Sequence, residues 1–225
     1  MPLIVVTSFK GGAGKTTLAA NLAVGLRSVG WDVMAVDANP QDALKLHFGL
    51  AAGDGRGTAE SGVDVVPFTG DADGSDELIG IVIAEAVRRM VIVDAPSLPA
   101  ASARALTRAA DVVVVATPTD AGSFAALSLA DAETALAEDG VLARTVVVAN
   151  QFDKEARLQR SVLALLNETF GDKLAATVER DQIVDEALAS RRTVLLHDQT
   201  SKAARSLVAL AIHVDRLCSP NGELN

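Results

Sequence analysis

The segment with the clearest chemical potential combines two lysines with three glycines. Residues 10–17 read Lys-Gly-Gly-Ala-Gly-Lys-Thr-Thr, and they lie between the apolar run of residues 3–6 and a helical pattern. Glycines let successive backbone N–H groups turn toward clustered negative charge, and the following helix presents its positive N-terminal end. In such a loop Lys15 reaches the β- and γ-phosphates and Thr16 holds Mg²⁺. The predicted nucleotide-binding residues here are Gly11, Gly12, Ala13, Gly14, Lys15, Thr16 and Thr17.

Two aspartates end predicted strands at the edge where this loop would lie. Asp94 follows the apolar run of residues 90–93, and Asp37 follows residues 33–36. Ligands of open parallel sheets bind beyond the carboxyl ends of the strands, and carboxylates are suitable Mg²⁺ ligands. We predict that Thr16, Asp37 and Asp94 hold the metal. Taken singly, either aspartate is also consistent with a turn cap.

The elements that must position these residues alternate between short β-branched runs and helical patterns. This alternation predicts an α/β fold with a mainly parallel, doubly wound sheet and helices on both faces. The predicted strands lie at residues 3–7, 33–37, 63–67, 90–94, 112–117, 145–150 and 175–178. The clearest helices span residues 15–29, 153–170 and 201–217.

Each of these three helices has an apolar stripe that we predict to face the core, with no cofactor role. The stripes contain Leu18, Leu22, Leu26 and Val29 in the first helix, Leu158, Val162, Leu165 and Leu166 in the second, and Leu207, Leu210, Ala211, Val214 and Leu217 in the third.

Length and composition favour one globular domain over residues 1–218, followed by a frayed tail at 219–225. The 225 residues are 49% hydrophobic and 22% charged, with no apolar run long enough to cross a bilayer and no signal-peptide pattern. We therefore expect a cytoplasmic protein. The single cysteine, Cys218, excludes an internal disulfide, and the three histidines lack ligand spacing. Ser97 lacks the glycine-framed turn of a serine hydrolase.

The net charge of −9 argues against a surface that is basic throughout. Residues 1–150 carry 18 acidic and 10 basic side chains, whereas the C-terminal third is nearly balanced. The C-terminal third is therefore where a basic face could form.

The phosphate loop departs from the standard pattern at its first position. Phe9 stands where a glycine is usual, and a second lysine, Lys10, follows it. This loop resembles the deviant Walker A motif of the ParA/MinD family. The resemblance implies ATP and Mg²⁺ as cofactors, catalysis by Lys10, Lys15 and Asp37, and a homodimer that sandwiches ATP. In that dimer Lys10 reaches the nucleotide of the other subunit. The alternative is a glycine-rich turn that binds nothing.

Residues 37–41, Asp-Ala-Asn-Pro-Gln, resemble the Asp-x-Asp-Pro-Gln pattern of the same family, with Asn39 in place of the second acid. In the family that acid helps to position the attacking water, so the resemblance implies slow hydrolysis here. Asp42 lies nearby but out of register. The sequence leaves open whether Asn39 is natural or an introduced substitution that traps ATP.

Further resemblance covers most of the chain. Residues 116–119 and 149–151 match places where the family holds adenine, and Asn150 can both donate to and accept from a base edge. Residues 178–183 and 201–204 resemble the C-terminal part of small ParA proteins. Membrane-bound relatives end in a basic amphipathic helix, whereas this chain ends in a polar, acidic tail, so we expect no membrane partner.

The resemblance implies a partition or positioning ATPase that binds nonspecific DNA as an ATP dimer and is released when an adaptor protein stimulates hydrolysis. The candidate phosphate contacts are Arg191, Arg192, Lys202, Arg205 and Arg216. Each of them could equally belong to a solvated charged face. A slow regulatory switch that recruits a protein without DNA is the second reading, and an ATP-dependent ligase or kinase for small molecules is the third. The cargo stays open.

Overall fold

In a computed structural model of the chain, most residues belong to one parallel sheet and its covering helices. The structure describes residues 1–39, 41, 43–51, 55–67, 75–120 and 129–219. Asp42 and residues 220–225 of the predicted tail lie outside these ranges. Within them, eight strands form one sheet in the order β3-β4-β2-β5-β1-β6-β7-β8. Neighbouring strands are parallel except β3 and β4, which are antiparallel.

The strands are β1 Leu3–Ser8, β2 Val33–Asp37, β3 Gly57–Thr58, β4 Asp64–Val66, β5 Met90–Asp94, β6 Val112–Pro118, β7 Thr145–Phe152 and β8 Leu174–Glu179. The helices are α1 Lys15–Ser28, α2 Ser75–Ala86, α3 Ala101–Ala109, α4 Leu129–Glu138, α5 Arg157–Phe170, α6 Ile183–Ala189, α7 Val194–His197 and α8 Lys202–Cys218. Short 3-10 turns lie at Leu44–Phe48, Leu142–Arg144 and Gly171–Lys173. None of the helices in the described ranges is long and apolar enough to cross a membrane.

Apolar side chains on the two faces of the sheet form two separate cores. Ile4 and Val6 of β1 pack in one core with α1 and α8, whereas Leu3 and Val5 pack in the other with α3 and α5. Successive residues of a strand point to opposite faces, so a strand covered on both sides must be apolar throughout. The predicted doubly wound α/β fold is confirmed.

The structure corrects several predicted boundaries. The strand predicted at residues 63–67 is shorter, and the two-residue β3 was not predicted. Helix α5 begins at Arg157 rather than at residue 153, because Asp153 forms a turn in which its carboxylate accepts the backbone N–H of Glu155 at 2.9 Å. Helix α1 ends at Ser28, and Val29 is its half-buried cap.

Two predicted core residues were wrong. Leu158 is 49% exposed and Leu217 is 53% exposed. Each lies in a terminal turn of its helix, and the buried part of the helix does not extend to it: in α5 the buried residues are Val162, Leu166 and Phe170. Leu165 is half-buried, as is Val29. Apart from Leu158 and Leu217, all the other predicted core residues of the three stripes are buried.

The sheet brings the carboxyl ends of its central strands to one edge. Asp94 of β5 lies opposite Asp37 of β2 and opposite Val6 of β1. On the other side of β1, Ser8 pairs with Ala116, and Pro118 of β6 pairs with Asn150 of β7. The loops that follow these strands therefore meet around residues 9–14.

Candidate nucleotide and metal site

The loop between β1 and α1 depends on glycine at two places. Gly12 has a φ of +74° and Gly14 a φ of +80°, a region that side-chain-bearing residues rarely adopt. Gly14 also caps α1, and its carbonyl accepts the N–H of Leu18 at 2.9 Å. A side chain at Gly14 would in addition collide with the amide of Asn150. The predicted phosphate loop therefore has the backbone that the sequence pattern requires.

Two amide side chains at the end of β7 hold the loop from outside. Asn150 donates to the carbonyl of Ala13 at 2.7 Å, and Gln151 donates to the carbonyl of Gly12 at 3.0 Å. Gln151 has a φ of +57° and lies where the β7 and β8 register shifts. Such irregularities re-aim side chains. The resemblance matched residues 149–151 to the adenine site and assigned Asn150 to the base. The contacts of the two amides with the loop were not predicted, although consecutive amides after a strand were a usable signal.

The two lysines of the loop contact different side chains. Lys15 Nζ donates to Ser97 Oγ at 3.0 Å, and Ser97 Oγ lies 3.1 Å from Ser8 Oγ. The hydroxyl of Ser8 in turn donates to the carbonyl of Lys10 at 2.7 Å. Lys10 Nζ pairs with Asp120 at 3.1 Å. Neither Ser97 nor Asp120 was assigned a role from the sequence, since both partners lie far away along the chain.

The two predicted metal-binding aspartates are adjacent and fully buried. Thr16 Oγ1 donates to Asp94 Oδ2 at 2.6 Å, while Asp94 Oδ1 is buried with no hydrogen-bond partner in the part of the chain that the structure describes. Burial raises the pKa of Asp94 to about 7, and the charge of Asp37 adds to this rise against the opposing effect of Thr16. A divalent cation would satisfy the unpartnered oxygen, so Thr16 and Asp94 fit Mg²⁺.

Asp37 also organises its own loop. Its Oδ1 accepts the N–H of Asn39 at 2.8 Å, and its Oδ2 accepts the N–H of Leu44 at 2.9 Å. Through these two bonds Asp37 caps the turn that follows β2, which was the alternative role considered for it from the sequence. Each carboxylate oxygen can accept a second bond, so capping and metal binding are compatible.

Asn39 is held by a hydrogen bond that an ionised aspartate at this position could not make. Its Nδ2 donates to the backbone carbonyl of Asp94 at 2.9 Å. A carboxylate has no hydrogen to donate in its ionised form. The asparagine is thus tied to β5, the strand that ends in Asp94, and an aspartate in its place would need another arrangement.

A cavity of about 420 Å³ opens beside the loop. Its lining includes Gly14, Thr17 and Asn150, together with Glu179 at the end of β8 and Asp181 in the segment that follows. The resemblance connected residues 149–151 with the base, whereas residues 178–183 were matched only to the C-terminal part of small ParA proteins. The structure brings both segments to one cavity of a size suited to a nucleoside.

The candidate DNA contacts fall into two exposed groups. Lys202, Arg205 and Arg216 lie on the outer side of α8, whose only acid, Asp215, is buried and accepts Trp31 Nε1 at 2.7 Å. Arg191 and Arg192 are exposed between α6 and α7, and Arg192 lies 3.7 Å from Glu60. The outer side of α8 thus carries cations without carboxylates.

Known proteins share this arrangement along most of the chain. The family model described as the CobQ/CobB/MinD/ParA nucleotide binding domain matches residues 4–194. The chromosome-partitioning ATPase Soj of Thermus thermophilus is 32% identical over 237 residues, covering 94% of each chain. The chromosome partitioning protein ParA of Caulobacter vibrioides is 27% identical over 251 residues, covering 94% of this chain and 93% of its own.

Among solved structures, the septum site-determining protein MinD from Pyrococcus horikoshii, complexed with Mg-ADP, superposes with a TM-score of 0.82. It is 18% identical, and the match covers 99% of this chain and 98% of MinD. At that identity the similarity shows the fold. Together with the family match and the Soj relative, it shows that the chain belongs to the CobQ/CobB/MinD/ParA family of P-loop ATPases.

Proposed function

We propose that this protein is a ParA-like ATPase that dimerises on ATP and positions or partitions a cargo, with release through partner-stimulated hydrolysis. The observation that carries the proposal is the preformed loop with a second lysine at its head, beside the Thr16 and Asp94 pair. The loop provides backbone donors for phosphates, and the lysine provides a mobile cation that a neighbouring subunit can use.

Each loop residue has a defined role in this proposal. Backbone N–H groups of residues 11–17 bind phosphate oxygens, and Lys15 leaves Ser97 to contact the β- and γ-phosphates. Thr16, Asp94 and Asp37 hold Mg²⁺, which supplies neutralisation of the charge on the phosphate oxygens. The cavity beside Asn150 receives the adenosine part of the nucleotide. The Asn150 amide holds the loop through Nδ2 and keeps Oδ1 as an acceptor for the base.

Lys10 supplies the coupling between dimerisation and hydrolysis. A cation donated by a second subunit accelerates phosphoryl transfer by about 10³–10⁵ in NTPases that use one, or roughly 4–7 kcal/mol of barrier. ATP therefore joins two copies, and its cleavage separates them. A Cβ at Gly12 would meet no atom within 4 Å in the described part of the protomer, so we propose that the tight packing at that position comes from the second copy.

The decisive experiment is the molecular mass in solution with ADP, ATP and a nonhydrolysable analogue, for the wild-type chain and for Lys10→Ala. We expect dimers of the wild type with ATP and the analogue, and monomers of Lys10→Ala under all conditions. A wild-type chain that stays monomeric with ATP would overturn the mechanism.

We further propose that the ATP dimer binds DNA without sequence preference. The basic outer side of α8 and the Arg191 and Arg192 pair support this, since such binding depends on cations that displace counterions. Replacing both Arg191 and Arg192 by glutamate should abolish ATP-dependent DNA retention. Unchanged retention at low salt would remove these two residues from the proposed interface. Lys202→Glu combined with Arg205→Glu tests the α8 side separately.

A second candidate is a slow ATP-dependent switch that recruits a protein partner without DNA. The bond from Asn39 to Asp94 favours it, because an amide fixed as a donor cannot take a proton from water. DNA binding measured with ATP and with ADP across a salt series separates the two: the switch shows no nucleotide-dependent retention. For both candidates we propose a stimulating or adaptor protein as partner, a cytoplasmic location and no contact with a membrane. The DNA-binding candidate would in addition associate with the nucleoid.

A further inference from the structure

The ammonium group of Lys10 contacts, within its own protomer, a carboxylate in the loop that follows another strand. Lys10 Nζ lies 3.1 Å from Oδ1 and 3.4 Å from Oδ2 of Asp120. Lys10 is two residues past the end of β1, and Asp120 is two residues past the end of β6. These strands are neighbours, with Ser8 opposite Ala116, so the sheet register brings the two side chains together.

We propose that Asp120 is a positioning residue that retains Lys10 in the free protomer and competes for it with the nucleotide of the second copy. This inference rests on the proposed role of Lys10 between subunits. An ammonium that neutralises a phosphate across a dimer interface must first leave the carboxylate of its own chain. ATP carries one more phosphate than ADP at the end of the nucleotide, and the larger negative charge competes better. Because the same carboxylate must be left with either nucleotide, Asp120 raises the protein concentration needed for dimerisation in both cases, and the stronger attraction of ATP overcomes this threshold more readily than that of ADP.

The exposure of the pair sets the size of the effect. The side chains of Lys10 and Asp120 are 38% and 46% exposed, so solvent screens their attraction. Exposed ion pairs of this kind shift an equilibrium by up to about fivefold. A symmetric dimer releases two lysines, so the dimer dissociation constant shifts by up to about 25-fold. The shift should shrink as salt rises.

The test compares Asp120→Asn with two controls. Asp120→Glu keeps the carboxylate, and Asp172→Asn removes one exposed negative charge near β8, away from the loop. We expect Asp120→Asn to dimerise with ATP at several-fold lower protein concentration than the wild type, and to form some dimer with ADP. Both controls should behave as the wild type. The gap between Asp120→Asn and the wild type should narrow at high salt. An unchanged or weaker dimer of Asp120→Asn would overturn the proposal.

A second measurement detects the pair without nucleotide. Acetylation of individual lysines, followed by mass spectrometry, reports how accessible each ammonium is, and the exposed Lys154 serves as internal reference. Lys10 should react faster in Asp120→Asn than in the wild type or in Asp120→Glu. Equal reactivity, with normal ATP dimers of the wild type, would reject the role of Asp120 and leave the proposed function intact. A wild type that fails to dimerise would reject both.

Discussion

At the scale of single residues, Asn39 shows how one atom changes the chemistry of the site. Its Nδ2 donates to the Asp94 carbonyl, and its backbone N–H donates to Asp37. The first contact ties the loop after β2 to β5, and the second ties the loop back to the end of β2. The family pattern has an acid at this position, which can accept a proton but cannot make the Nδ2 bond. Asn39 therefore stabilises this loop, but its amide cannot accept a proton as the acid of the family pattern can.

We predict that Asn39→Asp raises ATP turnover, measured as phosphate release with saturating Mg²⁺. A positioned carboxylate contributes about 10²–10⁴-fold as a general base, and we expect at least about tenfold here. The lost hydrogen bond should lower the free energy of unfolding by about 1 kcal/mol. Asn39→Ala, which removes the same bond without adding an acid, is the control and should stay slow. Equal turnover of Asn39→Asp and the wild type would show that this position does not limit the rate.

At Gln151 the effect of backbone strain on stability can be measured separately from the effect of the side chain on nucleotide binding. Its positive φ costs a non-glycine residue about 1 kcal/mol or more, while its side chain holds the carbonyl of Gly12. We predict that Gln151→Gly keeps or raises the melting temperature of the nucleotide-free protein and weakens nucleotide binding about two- to tenfold, the worth of one hydrogen bond. Gln151→Ala should lose affinity without the gain in stability. Full affinity of the glycine variant, measured by calorimetry, would contradict a role in holding the loop.

At the scale of elements, α5 carries two leucines with opposite environments. Leu166 is fully buried, whereas Leu158 is 49% exposed in the first turn. We predict that Leu166→Ala lowers the free energy of unfolding by about 2–5 kcal/mol, because it removes apolar contact and leaves a cavity. Leu158→Ala, the matched control in the same helix, should lower it by less than about 1 kcal/mol. Denaturant titration measures the free energy of unfolding of both variants. Similar losses in the two variants would contradict the orientation of α5 on the sheet.

Helix α8 separates its charges by side. Its acid is turned inward to Trp31, and its exposed cations lie outward. The outer side is basic although the chain as a whole has a net charge of −9. The net negative charge of the molecule would thus repel a nucleic acid at long range, whereas the exposed cations of α8 would attract it at short range. For this reason the proposed DNA binding should fall steeply with salt.

At the scale of the whole molecule, burial makes stability depend on pH. His47 is 5% exposed, and its burial lowers its pKa from 6.5 to about 4. Below pH 6.5 the unfolded chain binds a proton at this residue that the native state excludes, so the free energy of unfolding falls as pH decreases from about 6.5 to about 4. We predict that His47→Gln loses this component. The free energy of unfolding of the wild type minus that of the variant, measured by urea titration, should become more negative as pH falls from about 6.5 to about 4. A difference that does not change with pH would contradict the prediction.

Local sequence determined the loop, the strand ends and the fold class. Gly12, Gly14, Lys15 and Thr16 are consecutive or nearly so, and their spacing alone predicts a loop of the phosphate-binding type. Asp37 and Asp94 end apolar runs, and parallel strands carry such residues to one edge. These features depend on short-range backbone geometry and on alternation of strands and helices, which a sequence displays directly.

Tertiary structure decided the contacts that cross between strands. Ser97 meets Lys15 across 82 residues, Asp120 meets Lys10 across 110, and Gln151 meets Gly12 across 139. The exposure of Leu158 likewise depends on where α5 lies on the sheet. Periodicity specifies which side of a helix is apolar, but only strand order and register determine which neighbour each side chain reaches. The sequence thus determined the type of site, and the packing of the sheet determined the partners of each ammonium group.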